Sequence, residues 1–468
     1  MKTNVNNDIH ASNGLTKSLV RYFPGWLVAY FALFAVVRVI SRPNLEVDEA
    51  EMIYLTQWWF WGFGQQPPLY AWLQHALVEG IGYHILTVGL LRAALFGIIL
   101  YGAYRIARLW GSKAEAVMSA LWILGCTQFS IHSFRHTHTV LVTAMSVLTV
   151  LAWLRVIDRS SWPRYLWLGV CLGLGLLAKY NFVLVAGTIL GISLINPRGR
   201  PKVVSPLILL TIGTALLLTA PHAFWLLNHQ DGVSHSIRQD LSPEPLPYWP
   251  GLWSGVRSLL YHSFHFVFPV LLLGLFGTQG KPKLRISRPS TKLSPRLLTY
   301  FFAGNLFWLI VLLATGQTTI FSGRWLEPLF ILFPLLLPGV WPLSTVRMLR
   351  LLTIWAGLLL LIHGVRFHVE GSLGETNRTH CSFRNLPLDD VDTLVGQSYF
   401  VAGNLKLHYP HKTILCDEGT AMESPPNKAV YVRETSSEWL PGEQGRRGRQ
   451  TILWRNDCFT VYALFEKQ

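Results

Sequence analysis

Long apolar runs, closed by Trp, Tyr, Arg or Lys and separated by short polar connectors, set the pattern of this chain. A bilayer core about 30 Å thick takes roughly 20 apolar helical residues per span, and aromatic and basic side chains mark the ends of such spans. On that template the chain predicts about eleven spans. They fall near 24–40, 85–106, 114–131, 139–157, 164–178, 181–196, 203–227, 260–278, 297–314, 325–342 and 350–367. The first follows a polar leader carrying Lys2, Lys17 and Arg21. It shows no small-residue cleavage site before the acidic loop, so it reads as a retained span rather than a signal peptide. Beyond residue 368 the pattern shortens. "KTILCDE", "KAVYVRE" and "CFTVYALFEK" read as strands rich in β-branched and aromatic residues, and "QSYFVAGNLKLHY" as a helix. The expected architecture is an all-α polytopic membrane domain over 1–367 and a small α/β domain over 368–468.

Composition agrees with that class. Hydrophobic residues make up 51% and charged residues 14% of the chain, with a mean hydropathy of +0.34, which suits a polytopic membrane protein better than a large soluble core. The net charge of +15 raises nucleic-acid binding as a possibility. The positive residues, however, sit in short connectors: "RIARLWGSK", "RSSWPR", "NPRGRPK", "KPKLRISRPSTKLSPR" and "RMLR". That is the bias of cytoplasmic loops, and no basic stripe with interleaved aromatics lies on a soluble domain, so nucleic acid is not an expected partner. Placing those connectors inside puts the N-terminus in the cytoplasm. The loops 41–84, 132–138, 179–180, 228–259 and 315–324, and the tail, are then outside. Of five cysteines, Cys126 and Cys171 lie in predicted spans. Cys381, Cys416 and Cys458 lie in the tail, where one disulfide is possible and one thiol is left over. "NRT" at 377–379 fits a glycosylation sequon, a triplet common by chance.

The stretch "NLEVDEAEMIYLTQWWFWGFGQQPPLYAWL" concentrates the chemistry. Asp48 and Glu49 stand just beyond the first span. The segment from Glu51 to Phe63 predicts an interfacial helix with its aromatic rings at headgroup level, and the Pro67–Pro68 pair stops it and starts a second surface helix. A carboxylate held there can take a proton from an acceptor hydroxyl as it attacks a sugar carbon. A polyprenyl-phosphate sugar presents its anomeric carbon at that level, and the departing phosphate needs cations or hydrogen-bond donors. The structural alternative is that Asp48 is the N-cap of the surface helix, with the following acids favoured by its first turn.

The ordered set of "VDEAEMIYLTQWW…GFGQQPPLYAWL", "GLGLLAKYNFVLV", "APHAFWLLNHQDGVSHSIRQDL" and "SGRWLEPLFILFPLLL" resembles the GT-C superfamily of membrane glycosyltransferases over roughly residues 20–345. The similar branch includes bacterial aminoarabinose and galacturonic acid transferases and protein O-mannosyltransferases. The resemblance implies an inverting transfer from a polyprenyl-phosphate sugar donor to a lipid A, lipopolysaccharide, glycan or protein acceptor. It also implies a bacterial inner-membrane protein with a periplasmic tail, no cofactor and no metal. It puts Asp48 at the catalytic aspartate position with Glu49 beside it. Gln65 and Gln66 fall where aminoarabinose transferases carry an acidic and a basic residue, a departure from that group. Lys179, Arg238 and Arg324 fall where cations meet the carrier phosphate. Tyr54, Trp58, Tyr70 and His222 are expected to line the groove.

Taken singly, basic residues at span ends more often anchor a helix than bind substrate. Arg92, inside the second span, must face protein or water. His132, His136 and His138 cluster near an outer mouth, where lining a cavity is a simpler role than holding zinc, which asks for a further ligand. A lipid-linked sugar flippase or transporter would favour internal repeats and mid-membrane charges. A non-catalytic relative that binds lipid-linked glycan would tolerate the two neutral glutamines.

Overall fold

The computed structural model describes residues 14–63, 66–133, 137–242, 246–277, 295–341, 343–372, 381–388, 391–417, 429–435, 449–455 and 457–465. Helix α1 (Gly14–Arg21) leads into α2 (Phe23–Ser41), the first span. Two short helices follow, α3 (Val47–Leu55) and α4 (Leu69–Ile81), then α5 (Ile85–Ala107) and α6 (Lys113–Leu121). The rest of the membrane domain is α7 (His138–Asp158), α8 (Trp162–Ala178), α9 (Phe182–Ile195), α10 (Ile208–Leu227), α11 (Gln230–Leu241), α12 (Tyr248–Gly277), α13 (Arg296–Ala314), α14 (Gly323–Phe330) and α15 (Thr345–Ser372).

Among the described residues seven helices are long and apolar enough to cross a membrane: α2, α5, α7, α10, α12, α13 and the first part of α15, with α8 and α9 shorter but equally apolar. The two other predicted spans are broken. Residues 114–131 form α6, a 3₁₀ turn (Trp122–Gly125) and a single helical turn (Thr127–Ser130). Residues 325–342 form α14, a 3₁₀ turn (Phe333–Leu336) and another single turn (Leu337–Val340). Pro328, Pro334 and Pro338 explain the second break, since each removes a backbone donor and crowds the preceding turn. The predicted surface helix 51–63 is also corrected. It starts earlier, at Val47, and ends at Leu55, where the Thr56 hydroxyl donates to the Ile53 carbonyl at 2.7 Å; the aromatic run that follows is irregular.

Helix α7 is buried nearly all round and forms the centre of the bundle. Beside it α2 and α5 share a ring cluster in which Phe96 packs against Phe31, Phe34 and Phe129 at centroid distances of 6.2, 5.7 and 4.4 Å. Helices α8 and α10 approach so closely that a Cβ on Gly169 would sit 2.6 Å from the Thr211 carbonyl oxygen, the small-residue contact that lets membrane helices touch backbone to backbone.

Among the described residues the tail is a five-stranded sheet with one helix. Strands β1 (Thr393–Gly396), β2 (Thr413–Cys416), β3 (Ala429–Glu434), β4 (Arg449–Arg455) and β5 (Phe459–Phe465) run in the order β2-β1-β3-β5-β4, and α16 (Tyr399–His408) connects β1 to β2. The β2-β1-β3 half is parallel and the β3-β5-β4 half antiparallel. Cys381 and Cys458 form a disulfide, and Cys416 is the tail thiol left over, buried.

Candidate active site

The acidic loop is built on a helix start. Glu46, extended at φ −74° and ψ 167°, is the N-cap of α3, and its side chain accepts from the backbone of Glu49 while Glu49 Oε2 accepts from the Glu46 N–H at 3.0 Å. This capping box occupies Glu46 and Glu49. The alternative role for Asp48 is thereby corrected: Asp48 stands one residue inside the helix and does not cap it.

Glu49 is wholly buried and faces inward. Arg38 of α2 donates to it twice, Nε to Oε1 at 3.0 Å and Nη2 to Oε2 at 2.5 Å, and Arg92 of α5 reaches Oε1 at 2.8 Å. Arg38 also holds the Arg42 and Asn44 carbonyls at 3.1 and 3.0 Å, so the turn between α2 and α3 is wrapped around one guanidinium. Burial alone would push the Glu49 carboxyl up, but the two arginines outweigh it and hold the group below the usual carboxylate value. The expectation that Arg92 faces protein is met: its side chain is fully buried on Glu49.

Asp48 turns the other way. Its Oδ2 accepts from Arg324 Nη1 at 3.2 Å, and the pair is partly open, 30% exposed at Asp48 and 46% at Arg324. Arg324 opens α14, whose far end is fixed by Asn305: its amide donates to the Leu329 carbonyl at 3.1 Å and its oxygen accepts from Thr188 at 2.9 Å. The segment before α14 is tied to α11, with the Thr318 hydroxyl and Thr319 N–H both donating to the Leu241 carbonyl at 2.9 and 3.1 Å.

Two further threads run from the acids. Tyr70 of α4 is fully buried, and burial raises its hydroxyl pKa. Its hydroxyl has no hydrogen-bond partner among the described residues. Its ring lies 5.4 Å from that of His138, and the next residue, Thr139, accepts from Lys179 at 3.3 Å. The second thread starts at Tyr180, whose hydroxyl lies 3.4 Å from His222 Nε2. His222 Nδ1 is 2.7 Å from the Trp61 carbonyl, which can only accept, so Nδ1 carries the proton and Nε2 takes the Tyr180 hydroxyl. His222 thus holds the aromatic loop that leads to Gln66.

Asp48 and Arg324 are therefore brought together, while Tyr70 and Lys179 are linked to each other through His138 and Thr139. Arg238 stands exposed in the last turn of α11. Gln66 is half-buried and bridges Phe63 through its backbone, while Gln65, His136 and the 377–379 triplet lie outside the described residues. Tyr54 is buried against the tail, its ring 5.2 Å from Trp58 and 5.6 Å from Tyr399. His132 has its ring 6.1 Å from His265. Among the described residues no group of three or more His, Cys, Asp and Glu side chains gathers that could hold a metal ion. Sequence reasoning passed over Arg38, Glu46 and the tail residue Asn404. An arginine within an apolar run was the available signal for Arg38; nothing local marked the other two.

The model of the family described as dolichyl-phosphate-mannose-protein mannosyltransferase matches residues 65–225. The chain is 31% identical over 316 residues to the lipopolysaccharide core galacturonosyltransferase RgtB of Rhizobium johnstonii, a match covering 66% of this chain and 63% of that protein. With RgtA of the same organism, also a lipopolysaccharide core galacturonosyltransferase, it shares 25% identity over 451 residues, 92% of this chain and 85% of the relative. In fold it is similar to ArnT from Cupriavidus metallidurans, solved bound to undecaprenyl phosphate. That likeness has a TM-score of 0.61 at 12% identity and covers 94% of this chain and 98% of the other.

Proposed function

We propose that the chain is a membrane glycosyltransferase of the GT-C type, and that it transfers a sugar from a polyprenyl-phosphate donor to a lipopolysaccharide or lipid A acceptor on the periplasmic side of the inner membrane. The observation that carries the reading is the partly open Asp48 carboxylate against the Arg324 guanidinium, on a helix whose next residue is locked to two buried arginines. The names of the relatives favour a uronic acid as the sugar transferred.

In the proposed reaction Asp48 is the general base. It takes the proton of the acceptor hydroxyl while that oxygen bonds to the anomeric carbon. The bond from that carbon to the phosphate oxygen breaks, and its electron pair leaves with the phosphate. One displacement inverts the anomeric configuration. Arg324, half exposed, turns from Asp48 to the phosphate as the donor enters, which frees the carboxylate and neutralises the leaving group. Lys179 supplies a second cation, and the Tyr70 hydroxyl a donor for the sugar or phosphate. Arg238 and Gln66 border the carrier.

Mass spectrometry of the core and lipid A of a deletion strain, complemented with wild type or Asp48→Asn, tests this. The strain and the variant are expected to lack the mass of one hexuronic acid residue that wild type restores. A variant that restores it removes the base assignment, and a strain with unchanged glycans removes the acceptor class. A transporter or a non-catalytic binder would tolerate Asp48→Asn.

A further inference from the structure

The tail domain is joined to the acid helix at the backbone level. Asn404, fully buried on α16, accepts from the Leu45 N–H at 2.8 Å and donates to the Leu45 carbonyl at 3.3 Å and to its own Phe400 carbonyl at 2.9 Å. One amide thus reads both polar groups of the residue before the cap of α3. Next to it, Gly403 lies so close to α3 that a Cβ would fall within 1.9 Å of the Ala50 carbonyl oxygen. Only glycine permits that approach.

The contact extends along α3. At its C-terminal end the Gln57 side chain pairs with the backbone of Ile414 in β2, accepting from its N–H at 3.2 Å and donating to its carbonyl at 3.1 Å. Tyr54 shares the tail's apolar core with Phe383 and Phe400. At the other end the Asn44 amide donates to the carbonyl of Cys381, one half of the disulfide. Helix α3 is held from below by Glu49 on Arg38 and Arg92, and from above by the tail. Asp48 is carried on the helix so held.

We propose that the tail is a clamp on the active-site helix, and that Asn404 and Gly403 are positioning residues setting where Asp48 stands relative to Arg324. The effect on transfer rests on the general-base reading of Asp48; the clamp itself does not. Geometry matters at this scale, because a misplacement of about 1 Å costs on the order of 10²-fold in rate. The full chain, purified in detergent as wild type, Asn404→Ala and Gly403→Ala, is compared by hydrogen exchange over residues 45–57, by binding of undecaprenyl phosphate, and by sugar transfer in the complemented deletion strain. Asn404→Ala is expected to speed exchange across 45–57 at least tenfold, with 393–417 unchanged. Undecaprenyl phosphate affinity is expected to stay within twofold while transfer falls about tenfold or more. Gly403→Ala is expected to do the same more strongly; if it fails to fold, Asn404→Ala carries the test. Unchanged exchange over 45–57, or faster exchange with wild-type transfer, overturns the proposal. So does a loss of transfer matched by an equal loss of lipid affinity. If Asp48→Asn retains transfer, the base assignment fails instead, and the exchange result still decides the clamp.

Discussion

Asp48 and Glu49 are adjacent acids with opposite surroundings, so the same chemical change at each should give opposite results. Glu49→Gln removes the carboxylate from a wholly buried site and leaves the Arg38 and Arg92 guanidiniums facing each other across a neutral amide. Removing one partner of a buried ion pair costs about 3–5 kcal/mol, and the variant also loses one of the two carboxylates of the capping box. A factor of ten corresponds to about 1.4 kcal/mol, so the unfolded or misassembled fraction should rise by roughly two to three and a half orders of magnitude. Asp48→Asn, by contrast, breaks an ion pair that is 30% and 46% exposed, and such pairs contribute about 0–1 kcal/mol. Its cost falls on chemistry, where loss of a general base is worth about 10²–10⁴-fold. The assay measures the monodisperse fraction surviving a temperature ramp in detergent, alongside sugar transfer by the same preparations. The reasoning is refuted if Glu49→Gln melts with wild type, or if Asp48→Asn loses more than about 2 kcal/mol of stability.

Acid should act through Glu49 as well. Its folded pKa lies below the ordinary 4.5, so its contribution is complete above that value and is lost as pH falls through the lower, folded one; thermal stability between pH 5 and 3 should fall in wild type and flatten in Glu49→Gln. His408 works at milder pH. Burial, then the Arg384 charge, lower it to about 4, so between the ordinary 6.5 and 4 the unfolded tail takes a proton the folded tail refuses. Exchange protection of 399–408 should weaken as pH drops from 7 to 5, less so in His408→Gln. The Cys381–Cys458 disulfide closes a 77-residue separation, for which chain entropy gives about 4.5 kcal/mol, so Cys381→Ser should lower the melting temperature of the tail as read by proteolysis. Arg324→Ala should cut transfer by about 10²-fold, with Arg324→Lys recovering part of it, both read from the mass of the complemented glycans.

Much of this arrangement was readable from residues alone. Asp48 stood out because a carboxylate directly beyond an apolar run needs a reason, and Arg324 because a basic residue opens an apolar segment on the predicted outer side. The tail strands β2, β3 and β5 and the helix α16 followed from local pattern. Strand β1 is only four residues long, and β4 begins at Arg449 in the polar, Gly-rich stretch "PGEQGRRGRQ", so neither announced itself. The breaks after Leu121 and Phe330 escaped because hydropathy averages over a window and is blind to where a helix loses its hydrogen bonds. The division of labour between Asp48 and Glu49 was not legible either. It depends on Arg38 and Arg92 lying on two different helices, information that spacing along one segment does not carry.

The pairing of Leu45 with Asn404 joins positions 359 apart in the chain. The acid helix therefore leaves the ribosome well before its partner, and meets it only after some 359 further positions have been made. Until α16 has formed and docked, the newly inserted bundle lacks the upper support of Asp48. On the proposed reading, placement of the acid helix thus waits for the tail, and a chain cut short before residue 404 cannot complete it.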